Sequence, residues 1–220
     1  MAFLKYISFI LTLLIPLSAA FADTGKDWKL KIDRENIRVY SRKVDKSKIH
    51  EIKAVSRIPS SLSSIVSLLN DVEAVSKWIP NSGETILLKR INDYETLVYG
   101  IIRPPWPVSD RDIIVHFKIR QDPATKEVTV NMTGRPDYIP LNEDYVRVPL
   151  LKSFWKLTPG PDGFLDVVYQ VHAEPGGLLL SWFVNVSTDE VAYDTVKNMQ
   201  DMIQKEKYKR ARLDYIDEKK

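Results

Sequence analysis

The hydrophobic pattern of this chain changes period, and that limits the possible folds more than any other feature. In three early runs, Trp28 to Ile32, Ile37 to Val44 and Ile49 to Ile58, apolar and polar residues alternate. Alternation with period two sends successive side chains to opposite faces of a strand. In the third run Ile52, Ala54, Ser56 and Ile58 oppose Glu51, Lys53 and Arg57, the pattern of an antiparallel sheet solvated on one side. Pro59-Ser60-Ser61 breaks the alternation. Leu62, Ile65, Val66, Leu69 and Val72 then recur at helical spacing, with Ser60 or Ser61 as the N-cap. Further strands are predicted at Glu84 to Ile91, Glu95 to Ile102, Asp112 to Arg120, Glu127 to Thr133, Tyr145 to Val148 with Phe154 to Thr158, and Phe164 to Ala173. Beyond Glu174-Pro175-Gly176-Gly177 the pattern is helical nearly to the end, with Trp182, Val186, Ala192, Val196, Met199 and Ile203 on one face. Eight or nine strands, one inserted helix and one long terminal helix predict an α+β domain. A sheet with an apolar face too wide for one helix must curl around it, leaving a groove between the two.

The segment Pro104-Pro105-Trp106-Pro107-Val108-Ser109-Asp110-Arg111-Asp112 reads as a stiff rim, because its prolines withdraw amide donors from any sheet. In the strand that follows, Ile113, Val115, Phe117 and Ile119 share the apolar face. Arg111 has the same parity, so a guanidinium is expected at the end of a greasy surface. It either meets the polar end of a hydrophobic ligand or pairs with Asp110, Asp112 or a more distant carboxylate. Asp112 is expected to anchor the loop.

The length, 220 residues, suffices for one domain with a substantial core. Residues 1–22 have the parts of a secretory signal: Lys5, an apolar run from Ile7 to Leu17, and the small-residue ending Ala20-Phe21-Ala22. An uncleaved membrane anchor is the competing reading, against which Pro16 and the cleavage-like ending argue. The expected division is a signal peptide at 1–22, a binding domain at 23–204 and a charged, fraying tail at 205–220. Without the leader the net charge falls from +3 to +2, and basic residues are interleaved with acidic ones, so no nucleic acid is expected as a partner. The chain has no cysteine, which excludes disulfides and thiol chemistry. Export without disulfides fits a bacterial periplasm, so a periplasmic or secreted protein is expected.

Groups for catalysis are scarce. The three histidines, His50, His116 and His172, stand in separate strands without metal-ligand spacing, and neither a nucleophile elbow nor a phosphate-binding loop is present. No metal, cofactor or enzymatic activity is expected. Asp110 and Asp112 flank Arg111, an arrangement that favours structure over acid catalysis. Aromatics are the richer resource: Trp78, Trp106, Phe117, Trp155, Tyr169 and Trp182 fall in loops, on inward strand faces and in the last helix, where they either fill a core or line a cavity.

The segment PPWPVSDRD resembles the proline-rich, S-x-R-D element of START domains, lipid-transfer modules related to the steroidogenic acute regulatory protein. Asp71-Val72-Glu73 with Trp78-Ile79-Pro80, Tyr145-Val146-Arg147-Val148-Pro149, and Glu174-Pro175-Gly176-Gly177 leading to Trp182-Phe183-Val184-Asn185 agree in order, so the likeness covers nearly all of Trp28 to Ile203. It is strongest to exported bacterial members. The resemblance implies a helix-grip fold: a curved antiparallel sheet wrapped around a long C-terminal helix, enclosing a hydrophobic tunnel. It implies one bound lipid or other hydrophobic small molecule, carried by a monomer that touches membrane surfaces transiently. The expected tunnel lining is Trp78, Trp106, Arg111, Val115, Phe117, Trp155, Tyr169, Val171, Trp182, Val186 and Met199. Sterol-binding members are associated with a charged residue on the strand after R-D, whereas Ile113, Val115 and Phe117 are apolar, which argues against a sterol. Two other readings stay open: a helix-grip enzyme of the polyketide cyclase type, with Tyr169 as its best-placed group, and a ligand-free interaction domain whose groove is filled by bulky side chains.

Overall fold

The computed structural model describes residues 27–218; the proposed signal segment lies outside them. Ten strands form one sheet: β1 (Lys29–Arg34), β2 (Ile37–Arg42), β3 (Glu51–Pro59), β4 (Ser82–Asn92), β5 (Glu95–Ile102), β6 (Arg111–Gln121), β7 (Val128–Gly134), β8 (Val146–Arg147), β9 (Leu150–Pro159) and β10 (Phe164–Glu174). The order is β1-β2-β3-β10-β9-β7-β6-β5-β4, antiparallel throughout, with short β8 added in parallel against β6. Among the described residues β1 and β4 are free edges, so the sheet curls without closing.

Helix α1 (Leu62–Leu69) and a 3₁₀ turn (Val72–Lys77) fill the crossover from β3 to β4, and α2 (Ser181–Met202) lies across the concave side. Ser61 is the N-cap of α1, its hydroxyl accepting from Ser64 N at 3.2 Å. The next two orphan amides, Leu62 N and Ser63 N, donate to the Glu218 carboxylate at 3.0 and 2.8 Å. A helix start satisfied from both its own turn and a distant carboxylate is doubly fixed.

Sheet register turns the alternation into rows on the concave face. One row runs Ile119, Val130, Trp155, Tyr169, Ala54; the next runs Thr96, Phe117, Met132, Ser153, Val171, Ile52. Beyond these, Val98 pairs with Val115, Gly100 with Ile113, and Ile102 with Arg111. The first row belongs to the main core, where α1, Trp78 and the second half of α2 pack against β2, β3, β9 and β10.

The final helix is not uniform along its length. Ala192, Tyr193, Val196, Met199 and Met202 recur at helical spacing and are buried. The first half follows the β1–β3 side of the sheet instead. Asn185 accepts from His50 N at 2.8 Å and donates to Lys48 O at 3.0 Å, and Glu190 pairs with Arg34 at 2.6 Å. Those polar ties leave the apolar side chains of the first half uncovered.

The expectation of a continuous helix with a fraying tail is corrected. The chain turns after Ile203, forms α3 (Glu206–Lys209) and returns across α1. Tyr208 and Ile216 are buried, the Tyr208 hydroxyl donates to Asp71 at 2.7 Å, and Asn70 donates to the Tyr215 hydroxyl at 3.0 Å. Asp217 and Gln121 exchange two hydrogen bonds, at 2.7 and 2.8 Å. Each buried side chain of this strap contributes about 1.5–3 kcal/mol of apolar burial, while its lysines and arginines keep their solvation on the outer side.

Candidate ligand-binding site

A cavity of about 170 Å³ lies on the concave face, under the 3₁₀ turn and beside α2. Its floor is the inward set of β5, β6 and β9, and its walls come from α1, the 3₁₀ turn, the start of β4 and Thr195 of α2. At the core end the Trp155 ring stacks on Tyr169 with centroids 4.4 Å apart, and Trp78 tilts against Trp155 at 6.2 Å. Such offset aromatic contacts fix ring positions as well as burying area. Asn198 of α2 donates to Trp78 O at 2.9 Å, tying the 3₁₀ turn to the anchored half of the helix. Gly100 and Ser153 are the small residues of the lining, and they leave the space that the aromatics enclose.

At the other end of the face, two neighbouring residues of β6 have separate environments. Asp112 is fully buried and is gripped by Arg147, whose Nε and Nη2 reach its two oxygens at 2.8 and 2.9 Å. Arg147 also donates to the carbonyls of Ile139 and Pro140 at 3.2 and 3.1 Å, so this pair holds the 136–140 loop against the strand mouth. Arg111 points to the concave side and is 4% exposed. Its Nη1 donates to the Ser109 carbonyl, its Nε has no partner among the described residues, and burial pushes its pKa down against the raising influence of Asp110. An ion held in the interior without a counter-ion is destabilising unless something else compensates it.

The expected lining residues divide three ways. Trp78, Val115, Phe117, Trp155 and Tyr169 meet at the cavity. Val171 and Met199 face the same interior but lie outside the cavity lining: Val171 packs against the main core opposite Ile52, and Met199 belongs to the anchored half of α2. Trp106, Trp182 and Val186 are corrected: they are 93%, 65% and 65% exposed. Pro104, Pro105 and Pro107 hold Trp106 on an excursion outside the sheet, and the ties of Asn185 and Glu190 keep Trp182 and Val186 off the cavity. Arg111 stands one inward position beyond the lining residue Ile113. Sequence reasoning missed Arg147 as the partner of Asp112, and missed Gly100, Met132 and Ser153; of these only Met132, in step with Val128 and Val130, carried a readable signal.

The polar inventory of the cavity is small. Burial pushes the Tyr169 hydroxyl up to about 12, with the Ser153 hydroxyl opposing the shift, so the phenol stays protonated across the physiological range. His172 is buried near Glu174, at 3.7 Å, and outside the cavity lining. Among the described residues no group of three or more His, Asp or Glu side chains is arranged to hold a metal ion. No described helix is long and apolar enough to cross a membrane.

Comparison with known proteins places this geometry. A family model described as START domain matches residues 16–209. An uncharacterised protein of Pseudomonas aeruginosa is 33% identical over 200 residues, covering 89% of this chain and 98% of that protein. The crystal structure of a STAR-related lipid transfer protein from Xanthomonas axonopodis superposes with a TM-score of 0.76 at 35% identity, over 81% of this chain and 99% of that one. The rat phosphatidylcholine transfer protein is 23% identical over 189 residues, 80% of this chain and 83% of the relative. With an open, curled sheet gripping its last long helix and a family match over most of its length, this chain belongs to the START domain family.

Proposed function

We propose that this protein binds one lipid, or another hydrophobic small molecule, between the sheet and α2 and carries it across the periplasm. The observation that carries the reading is the cavity itself, floored by Val115, Phe117, Trp155 and Tyr169 and unsealed on one side. Relatives named for lipid transfer and for phosphatidylcholine transfer support the ligand class. The leader-like segment at 1–22 supports the compartment.

Loading follows from the division of α2. Its second half is locked into the core, while the first half is held by a few polar contacts, so that half is the movable wall. Swung over the cavity, Trp182 and Val186 would cover the ligand. Swung away, they join Leu178 and Leu180 in an apolar surface beside Lys46 and Lys48, suited to brief contact with a membrane. We infer a non-catalytic monomer: the Tyr169 phenol holds its proton, and the side chain that bonds it, Ser153, is not a base at neutral pH.

Native mass spectrometry of protein purified from its own compartment, followed by lipid extraction, tests the reading. A reproducible co-purifying lipid is expected. If no hydrophobic molecule co-purifies and fluorescent lipid probes fail to bind, the protein is a ligand-free interaction domain. If the bound molecule is chemically altered on release, it is an enzyme.

A further inference from the structure

We propose that the ligand is an amphiphile whose polar end is an oxyanion, a carboxylate or a phosphate, and that Arg111 receives it. The inference rests on the lipid-binding reading and names the ligand's charge. Phe117, Val115 and Ile113 line the cavity along one face of β6, and Arg111 is the next residue on that face. Ile102, its cross-strand partner, also lines the cavity. The guanidinium therefore stands at the end of the apolar floor, in line with a chain lying along it.

Its electrostatic situation is incomplete. Both flanking aspartates are engaged elsewhere, Asp112 by Arg147 at 2.8 Å and Asp110 by Arg103 at 3.7 Å. Among the described residues no carboxylate reaches Arg111 within ion-pair distance, and its buried Nε lacks an acceptor. The Gly176-Gly177 turn covers it: a Cβ on Gly177 would lie 4.0 Å from Nη2, and one on Gly176 would strike the Arg147 carbonyl at 2.9 Å. Both glycines have positive φ, +69° and +67°, so side-chain-free backbone closes over the guanidinium. The same turn borders a cleft of about 590 Å³ that carries Lys46 and Lys48, where the carboxylate of Glu174 is taken by Ser47. An oxyanion can accept from Nε and an Nη together and neutralise the charge. A hydroxyl supplies an acceptor without the charge, and a cationic end is repelled.

The test is calorimetric titration of delipidated full-length protein, at pH 8 and below micelle formation, with a tail-matched pair, dodecanoate and dodecanol. Dodecanoate should bind about ten- to a hundredfold more tightly, the range expected of a hydrogen bond to a charged group. A folded Arg111→Gln variant should bind both ligands alike, at the wild-type affinity for dodecanol, and Arg111→Lys should recover part of the preference. Equal wild-type affinities, or a preference that survives Arg111→Gln, overturn the proposal, and the wild-type comparison decides even if the Gln variant does not fold. Failure of both ligands to bind sinks the lipid-binding reading instead. Adding 1-palmitoyl lysophosphatidate asks whether phosphate serves as well as carboxylate. Displacement of dodecanoate by millimolar inorganic phosphate alone would assign the site to a small free anion and refute the amphiphile.

Discussion

Gly100→Leu should make the protein more stable and at the same time a weaker binder of lipid. Gly100 lies in β5 between Thr85 and Ile113 and faces the cavity. A Cβ built there meets nothing closer than 3.7 Å, and the residue has no left-handed backbone to object to a side chain. The leucine would project into the space of about 170 Å³. Burying its four carbons contributes about 3 kcal/mol at roughly 0.8 kcal/mol each. Lost rotamer freedom takes back about 0.5–1 kcal/mol. The net gain is about 2 kcal/mol, which for a domain of this size raises Tm by about 4–8 °C. Thermal and urea unfolding must compare delipidated proteins, because bound ligand stabilises the native state by itself. Binding of a fluorescent fatty-acid probe should fall about 4- to 15-fold, the cost of losing one or two buried methylene contacts. A variant less stable than wild type would mean that the space at Gly100 does not exist. A variant that is stable and still loads normally would mean that the ligand lies elsewhere.

Three further outcomes follow from the same geometry. Val115→Arg, which sets a charge on the cavity floor, should abolish lipid uptake in a variant that keeps its far-UV circular dichroism; unchanged uptake would show that Val115 does not face the ligand. Asp112→Asn should destabilise by about 3–5 kcal/mol in urea, since it leaves Arg147 buried and uncompensated, whereas Asp112→Asn with Arg147→Met should recover much of that loss; equal losses in the single and double variants would refute the coupling. Desolvation raises the pKa of Asp71, but hydrogen bonds from Lys207 and Tyr208 outweigh it and hold the pKa below its ordinary 3.8. The strap is therefore stabilised by ionised Asp71 above that value and loses this contribution as pH falls through the lower folded-state value. Hydrogen exchange in α3 should rise in that acidic window for wild type and be flat there for Asp71→Asn.

The strands were legible because alternation is local: every predicted run has a counterpart, and in β6 Val115 and Phe117 share the face that lines the cavity, with Arg111 next in step. The start of α1 at Leu62 was readable for the same reason, from Ser61 and the spacing of Leu62, Ile65 and Val66. What alternation and periodicity cannot supply is which neighbour a face meets. Trp182 and Met199 share a helical stripe, yet hydrogen bonds from Asn185 to a loop 137 residues away draw one end of that stripe away from the cavity. The partner of Asp112 was also out of local reach, 35 residues on at Arg147, with Arg111 the tempting nearer choice. In the tail the density of lysine and arginine concealed two buried anchors, Tyr208 and Ile216, because charges dominate a composition count while a few apolar residues decide docking.

The contact between Glu218 and the start of α1 spans 156 residues of sequence. It therefore bears on when the fold can be finished as well as on how firmly it is held. A helix of eight residues has little stability of its own, and one of its caps comes from far downstream. Loop closure over such a span is slow compared with local pairing, so the cavity wall built by α1 should stay loose until the strap has emerged and docked. Under the export proposed above, a chain threaded through a membrane in an extended state would reach the far side before it could enclose a lipid.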